Sequence, residues 1–170
     1  AATLERLGLR TVQDLLFHLP LRYEDRTRVV PIGTLRTGNR AVIEGEIQLA
    51  EVVFRKRRAL LCRITDGSGF LTLRFFHFSA AQQAALTRGA RLRCFGEARL
   101  GLGGLEIVHP EYRQIAPGAG TQADDSLTPV YPTTEGVQQG RMRMLTGLAL
   151  AQLTGGGLRD WVAPDVLGTV

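Results

Sequence analysis

The chain has 170 residues, 44% of them hydrophobic, and a formal net charge of +5 at neutral pH. That balance fits one packed domain plus flanking elements or part of a second, and it excludes a disordered chain. No apolar run approaches the roughly 18 residues of a membrane-spanning helix, and AATLERLGLR at the start has no secretory hydrophobic segment.

An initiator methionine is absent, which points to a piece of a longer chain. A sequence pI near 10.0 points to a polyanionic partner. Lys56 is the only lysine among 21 basic residues. Arginine's planar fork suits bidentate contact with phosphate and stacking on bases. A GC-rich coding bias would produce the same arginine excess, so the ratio alone decides nothing, whereas the net charge does not depend on it. Cys62 and Cys94 lie far apart inside apolar stretches, and His18, His77 and His109 are scattered. No zinc-ligand spacing results, and buried reduced thiols of a cytoplasmic protein are expected.

Residues 4–20 read as two short helices. Gly8 closes the first, Thr11 and Asp14 cap the second, Leu15, Leu16 and Leu19 form its apolar face, and Pro20 stops it. The hairpin is expected to pack rather than to grip DNA. Residues 21–34 are a charged connection, giving an N-terminal segment over 1–34. From Ala41, Ile43, Gly45, Ile47 and Leu49 alternate with Glu44, Glu46 and Gln48, the period of a half-buried strand. Gly45 is the expected site of a bulge or bend. Phe54-Arg55-Lys56-Arg57-Arg58 then supplies a basic hairpin loop.

Leu60, Cys62 and Ile64 share one face of a second strand, opposite Leu61 and Arg63. A tight turn at Asp66-Gly67-Ser68-Gly69 leads to a third strand, with Leu71, Leu73 and Phe75 on one parity and Thr72, Arg74, Phe76 and Phe78 on the other. Ser79 with Gln82 opens a short helix to about Leu86. A fourth strand, 91–100, turns Leu92, Cys94, Gly96 and Ala98 inward and Arg91, Arg93, Phe95, Glu97 and Arg99 outward. A Gly101–Gly104 turn precedes a fifth strand from Leu105 to about Ile115. Three strands, a helix and two strands over 41–115 is the order of a mainly β, five-stranded OB-fold Greek-key barrel. Residues 116–126 read as a linker. Over 116–153 this leads to a helix with Met142, Leu145, Leu148, Ala149 and Gln152 at helical spacing. Residues 154–170 read as the truncated start of a further region.

OB-folds take ligands across their second and third strands, between two flanking loops. Here that groove is rimmed by the basic loop, the aromatic strand and the glycine turn. Such grooves suit single-stranded nucleic acid, held by basic side chains and stacked on aromatics. Phe75 shares the core parity. Phe76 lies with Thr72 and Arg74, so it either stacks on bases or makes a second hydrophobic contact. Phe78 precedes the Ser79 cap, but its staple partner would be Gln83, which leaves stacking. The candidate stacking residues are therefore Phe76 and Phe78. The candidate phosphate contacts are Arg55, Lys56, Arg57, Arg58, Arg74 and Arg93. Catalysis finds no support. Lys56 sits between arginines, so there is no phosphate-binding loop, and Glu24/Asp25 and Asp124/Asp125 read as loop carboxylates.

TVQDLLFHLPLRYEDR (11–26), LLCRITDGSGFLTLRFFHF (60–78), GLEIVHPEYR (104–113) and LTPVYPTTEG (127–136) resemble the N-terminal region of the RecG family of bacterial branched-DNA helicases. The resemblance implies an OB-fold wedge that grips a replication fork or Holliday junction. The family's two ATP-driven motors would follow Val170, so ATP and magnesium belong to the motor and this stretch needs no cofactor. It also implies aromatics at the end of the third strand that part DNA strands, which by position are Phe75-Phe76-His77-Phe78. A monomer acting on branched DNA near the nucleoid is expected. Two further partners remain open, the tail of a single-strand-binding protein and structured RNA.

Overall fold

A computed structural model describes residues 2–54, 57–116 and 127–154. The linker expected at 116–126 and the segment expected at 154–170 fall almost wholly outside these residues. In chain order, helices α1 (Ala2–Glu5) and α2 (Val12–Phe17) precede strand β1 (Arg22–Glu24) and a 3-10 turn at Ile32–Thr34. Strands β2 (Arg40–Phe54), β3 (Arg58–Thr65) and β4 (Phe70–Phe75) follow, then helix α3 (Ala80–Ala85). Strands β5 (Arg91–Glu97), β6 (Arg99–Gly101), β7 (Gly104–Val108) and β8 (Glu111–Gln114) complete the main sheet, before β9 (Thr128–Val130) and helix α4 (Gln139–Thr154). These elements form two compact units. One runs from Asp25 to Leu127, and the other joins the residues up to Glu24 with those from Thr128 onward.

The larger unit is a seven-stranded sheet in the order β6-β7-β4-β3-β2-β5-β8. β2, β3 and β4 form an antiparallel meander, β7 returns parallel to β4, and β5 lies antiparallel to β2. This is OB-like topology, although the hydrogen-bonded ladder stays open between its β6 and β8 edges. Ala98 alone separates β5 from β6, so one bent stretch of chain pairs with β2 through its first half and with β7 through its second. The expected fifth strand is in fact two. It breaks at His109-Pro110 into β7, which pairs with β4, and β8, which crosses to pair with β5.

Alternation along β3 and β4 buries Leu60, Cys62, Ile64, Leu71, Leu73 and Phe75 in one core with Ile43, Ile47 and Leu92. Full burial of each large side chain contributes about 1.5–3 kcal/mol relative to exposure. Leu86, just past α3, plugs the same core. The bulge expected at Gly45 lies instead between Ile47 and Leu49. It reverses the parity of β2, so Leu49 is 50% exposed while Ala50 and Val52 turn toward the core. Gly45 has a different task, since a Cβ there would stand 3.1 Å from the Thr65 carbonyl oxygen and 3.3 Å from the Ile64 side chain. Phe95 and Arg93, expected outside, are both buried. The guanidinium of Arg26 lies 3.6 Å from the Phe95 ring centroid. The same Arg26 pairs with Glu111 of β8 at 2.9 Å, covering that outer face of β5.

In the smaller unit both halves of the expected capping box form at Thr11 and Asp14. Leu9, Tyr131, Val137 and Met142 make its core, with Leu4, Leu7 and Leu15 packed around them. The Tyr131 N–H donates to Gln139 Oε1 (3.0 Å) and the Gln139 amide donates back to the Tyr131 carbonyl (2.7 Å), which anchors the start of α4. Along α4 the buried positions are Met142, Thr146 and Ala149, whereas Leu148 and Leu19 are exposed, contrary to the sequence-based expectation.

The Asp66–Gly69 turn does more than join β3 to β4. The Ile32 N–H donates to Asp66 Oδ2 (2.8 Å) and the Gly33 N–H to Ser68 Oγ (2.9 Å), so the turn clamps the 3-10 segment onto the sheet. A Cβ at Gly33 would stand 2.5 Å from the Ser68 carbonyl oxygen, so no other residue fits there. Desolvation pushes the Asp66 carboxyl upward, but hydrogen bonds from Ser68 and Ile32 outweigh it and leave the pKa lowered. A lowered carboxyl stabilises the fold above its unfolded pKa, and that contribution is lost as pH falls. Asp66→Ala is expected to cost about 1–3 kcal/mol in urea unfolding at neutral pH. The deficit should shrink as pH drops below about 4, where the parent chain loses the same interaction.

Candidate nucleic-acid interface

The outward face of β3 and β4 carries the candidate site. Register places Leu61 opposite Arg74, Arg63 opposite Thr72 and Thr65 opposite Phe70. A cleft of about 220 Å³ lies over this face, lined by Glu51, Leu61, Thr72, Arg74, Leu102 and Glu106, among others. The β6–β7 turn thus borders the groove, with Leu100 and Leu102 both exposed. The β2–β3 hairpin carries exposed Phe54, Arg57 and Arg58. Arg55 and Lys56 lie outside the described residues.

Two of the expected phosphate contacts are paired with carboxylates inside the sheet. Arg74 donates through Nε (2.9 Å) and Nη2 (2.7 Å) to Glu106 Oε2 from neighbouring β7. Arg93 is 8% exposed and donates through Nε to Glu44 of β2 (2.7 Å). Both guanidiniums are committed to carboxylates, and Arg93 sits on β5, away from the β3–β4 face. Arg58 lies 4.4 Å from the Phe78 ring centroid and Phe78 packs against the core, so this pair closes the end of the sheet.

Phe75 is core, as its parity predicts. Phe76 follows the last residue of β4 and is partly exposed. Its ring lies 5.8 Å from that of His109 and 5.9 Å from the Arg74 guanidinium. His109 stands at the β7–β8 corner, where its φ of 48° lets the chain leave β4 and cross to β5. Its ring also stacks on His77 at 5.9 Å. One exposed aromatic escaped the sequence reading. Phe70 opens β4, is 56% exposed and lies under the Arg63 guanidinium at 4.3 Å. Its parity with Thr72 and Arg74 was the available signal, missed because the strand was read from Leu71 onward.

Burial pushes the Cys62 thiol up to about 11 and raises Cys94 as well, so neither is a thiolate near neutral pH. Among the described residues, no group of three His, Cys, Asp or Glu side chains could hold a metal ion. None of the described helices is long and apolar enough to cross a membrane.

A family model for the RecG wedge domain matches residues 1–152. The chain belongs to the RecG wedge domain family. It is 48% identical over 163 residues to the ATP-dependent DNA helicase RecG of Escherichia coli K12, covering 96% of this chain and 24% of that protein. The RecG helicase of Pasteurella multocida is 49% identical over 150 residues, covering 88% of this chain and 22% of its own length. The chain therefore spans about a quarter of the length of these curated relatives. A solved structure of RecG bound to a three-way DNA junction shares its fold, with a TM-score of 0.75 at 24% identity over 98% of this chain and 23% of that one.

Within this RecG wedge domain, the ion pairs separate structural arginines from exposed ones. Arg93→Ala should destabilise the larger unit by about 3–5 kcal/mol, because it strands the half-buried Glu44. Arg57→Ala should leave urea unfolding unchanged. If Arg57 meets a phosphate, its loss should lower the slope of log affinity for DNA against log salt by about 0.7–0.9.

Proposed function

We propose that this chain is the branched-DNA-binding, strand-separating wedge of an ATP-dependent DNA helicase. The observation that carries the reading is the end of β4. There the partly exposed Phe76 ring stands beyond the ladder, held by His109 and bordered by Arg74 on the outward face of the sheet. Membership of the RecG wedge family supports it, as does the fold shared with a RecG bound to a three-way junction.

The roles divide by chemistry. Exposed arginines of the β2–β3 hairpin, with Arg55 and Lys56 next to them in sequence, draw in the phosphate backbone. Phe76 stacks on the first unpaired base, and the exposed Phe70–Arg63 pair offers a further flat surface on the same face. Stacking of one base on an aromatic contributes about 1–3 kcal/mol. Opening one base-pair step of DNA forfeits about 1.4 kcal/mol of stacking on average. One ring can therefore hold a single opened step, and continued separation needs external work. Motor domains elsewhere in the parent protein, using ATP and magnesium, would supply it. Acting on branched DNA, the module would work at the bacterial nucleoid.

Phe76→Ala should weaken binding to a forked duplex by about 1–3 kcal/mol, with the circular dichroism spectrum unchanged. Affinity for a linear duplex should stay as it was. Equal loss on both DNAs, no loss on the fork, or tighter binding to structured RNA at matched salt would contradict the proposal.

A further inference from the structure

We propose that His109 is the positioning residue of the wedge edge, and that as a neutral imidazole it fixes the chain at Phe76 in the pose that meets an unpaired base. The proposal rests on the assignment of Phe76 as the stacking residue, and it adds both the group that orients that ring and a condition on its protonation state.

His109 holds the end of β4 in two ways. Its backbone N–H donates to the Arg74 carbonyl at 2.8 Å, one step past the final Arg74–Val108 register pair. Its side chain then returns to the same strand, where the Phe76 N–H donates to His109 Nε2 at 3.3 Å. Both contacts need the corner conformation. His109 is the only non-glycine residue at positive φ among the described residues, and histidine is among the side chains that tolerate that region best. The ring is also referenced to the core. It meets Phe75 edge-on at 6.2 Å, and Phe75 is 2% exposed. The Phe76 and His77 rings also lie against the imidazole, at 5.8 and 5.9 Å, while the residue keeps an exposed side.

An imidazole nitrogen accepts a hydrogen bond only when it carries no proton. Nε2 is therefore bare, and the single ring hydrogen sits on Nδ1. Of the charged and titratable groups around the ring, the stacked His77 favours this form. His77 stacks on it, the Arg74 guanidinium lies beyond Phe76 in its pair with Glu106, and Tyr112 contacts the far side of Phe75. Burial, and then the neighbouring His77, lower the His109 pKa below its ordinary value. The sign follows from linkage. The contact is intact above the ordinary histidine pKa of about 6.5 and is lost as pH falls through the lower folded value. Protonation removes the acceptor for Phe76 and places a second cation beside Arg74, while the exposed arginines that meet phosphate stay charged.

The test compares affinity for a fork and for a linear duplex between about pH 8 and about pH 5, across the histidine range. In the parent chain the fork-to-duplex ratio should fall about tenfold on acidification while duplex affinity does not weaken. His109→Phe keeps a ring but has no acceptor, so its ratio should be low and independent of pH. His77→Asn should keep the pH profile with its midpoint moved upward. If Phe76→Ala leaves the ratio intact, the wedge assignment itself fails. If Phe76→Ala abolishes the ratio while His109→Phe retains the parent ratio and profile, the positioning role fails alone. Should His109→Phe unfold, nitrogen NMR of the unaltered chain still decides. A ring hydrogen on Nδ1, with the Phe76 amide titrating together with His109, supports the proposal. A hydrogen on Nε2 at neutral pH overturns it.

Discussion

β7 runs parallel to β4, and the architecture at the exposed end of the sheet follows from how that pairing ends. Both sides of β7 are already paired, by β6 and by β4, so the chain cannot fold back beside it and crosses at His109-Pro110 to the opposite edge of the sheet as β8. The positive φ at His109 makes that exit possible. It leaves one backbone donor and one imidazole acceptor aimed back at β4, and these hold the strand at Arg74 and Phe76. The departing β8 then brings Glu111 to Arg26, whose guanidinium covers Phe95, so one corner both holds the aromatic at the end of β4 and helps to cover the outer face of β5.

The same geometry sorts the arginines. Where a strand neighbour offers a carboxylate, as Glu106 does for Arg74 and Glu44 does for Arg93, the guanidinium becomes part of the sheet. A half-buried charge of this kind is costly to strand and has little left to offer a ligand. On the β2–β3 hairpin Arg57 and Arg58 are exposed, so part of the excess charge of +5 faces solvent there. An aromatic edge with a basic hairpin to one side is a division of labour suited to a branch point, where phosphate and unpaired base are both within reach.

Much of this was legible in the sequence, and the exceptions have physical causes. Period-two alternation placed Leu71, Leu73 and Phe75 in the core because β4 is regular and buried on one face. It misplaced Leu49 because a bulge after Ile47 shifts parity without any composition signal. Phe95 read as exposed because its cover, Arg26 and Glu111, comes from segments far away in the sequence. Distance along the chain also hid the partners of Arg74 and Arg93, which lie 32 and 49 residues away. The OB-like order was readable, but the split of the last strand was not. That split depends on one residue adopting a left-handed conformation, and HPEY does not announce it.

The central claim is that Phe76 stands at the branch point when the domain holds forked DNA. A photo-crosslinking phenylalanine analogue placed at position 76 reads that location directly. Irradiation with a forked duplex should give adducts confined to the nucleotides flanking the branch, with far lower yield on a linear duplex of the same length. Adducts spread evenly along the duplex arm, or equal yield on linear DNA, would contradict the account.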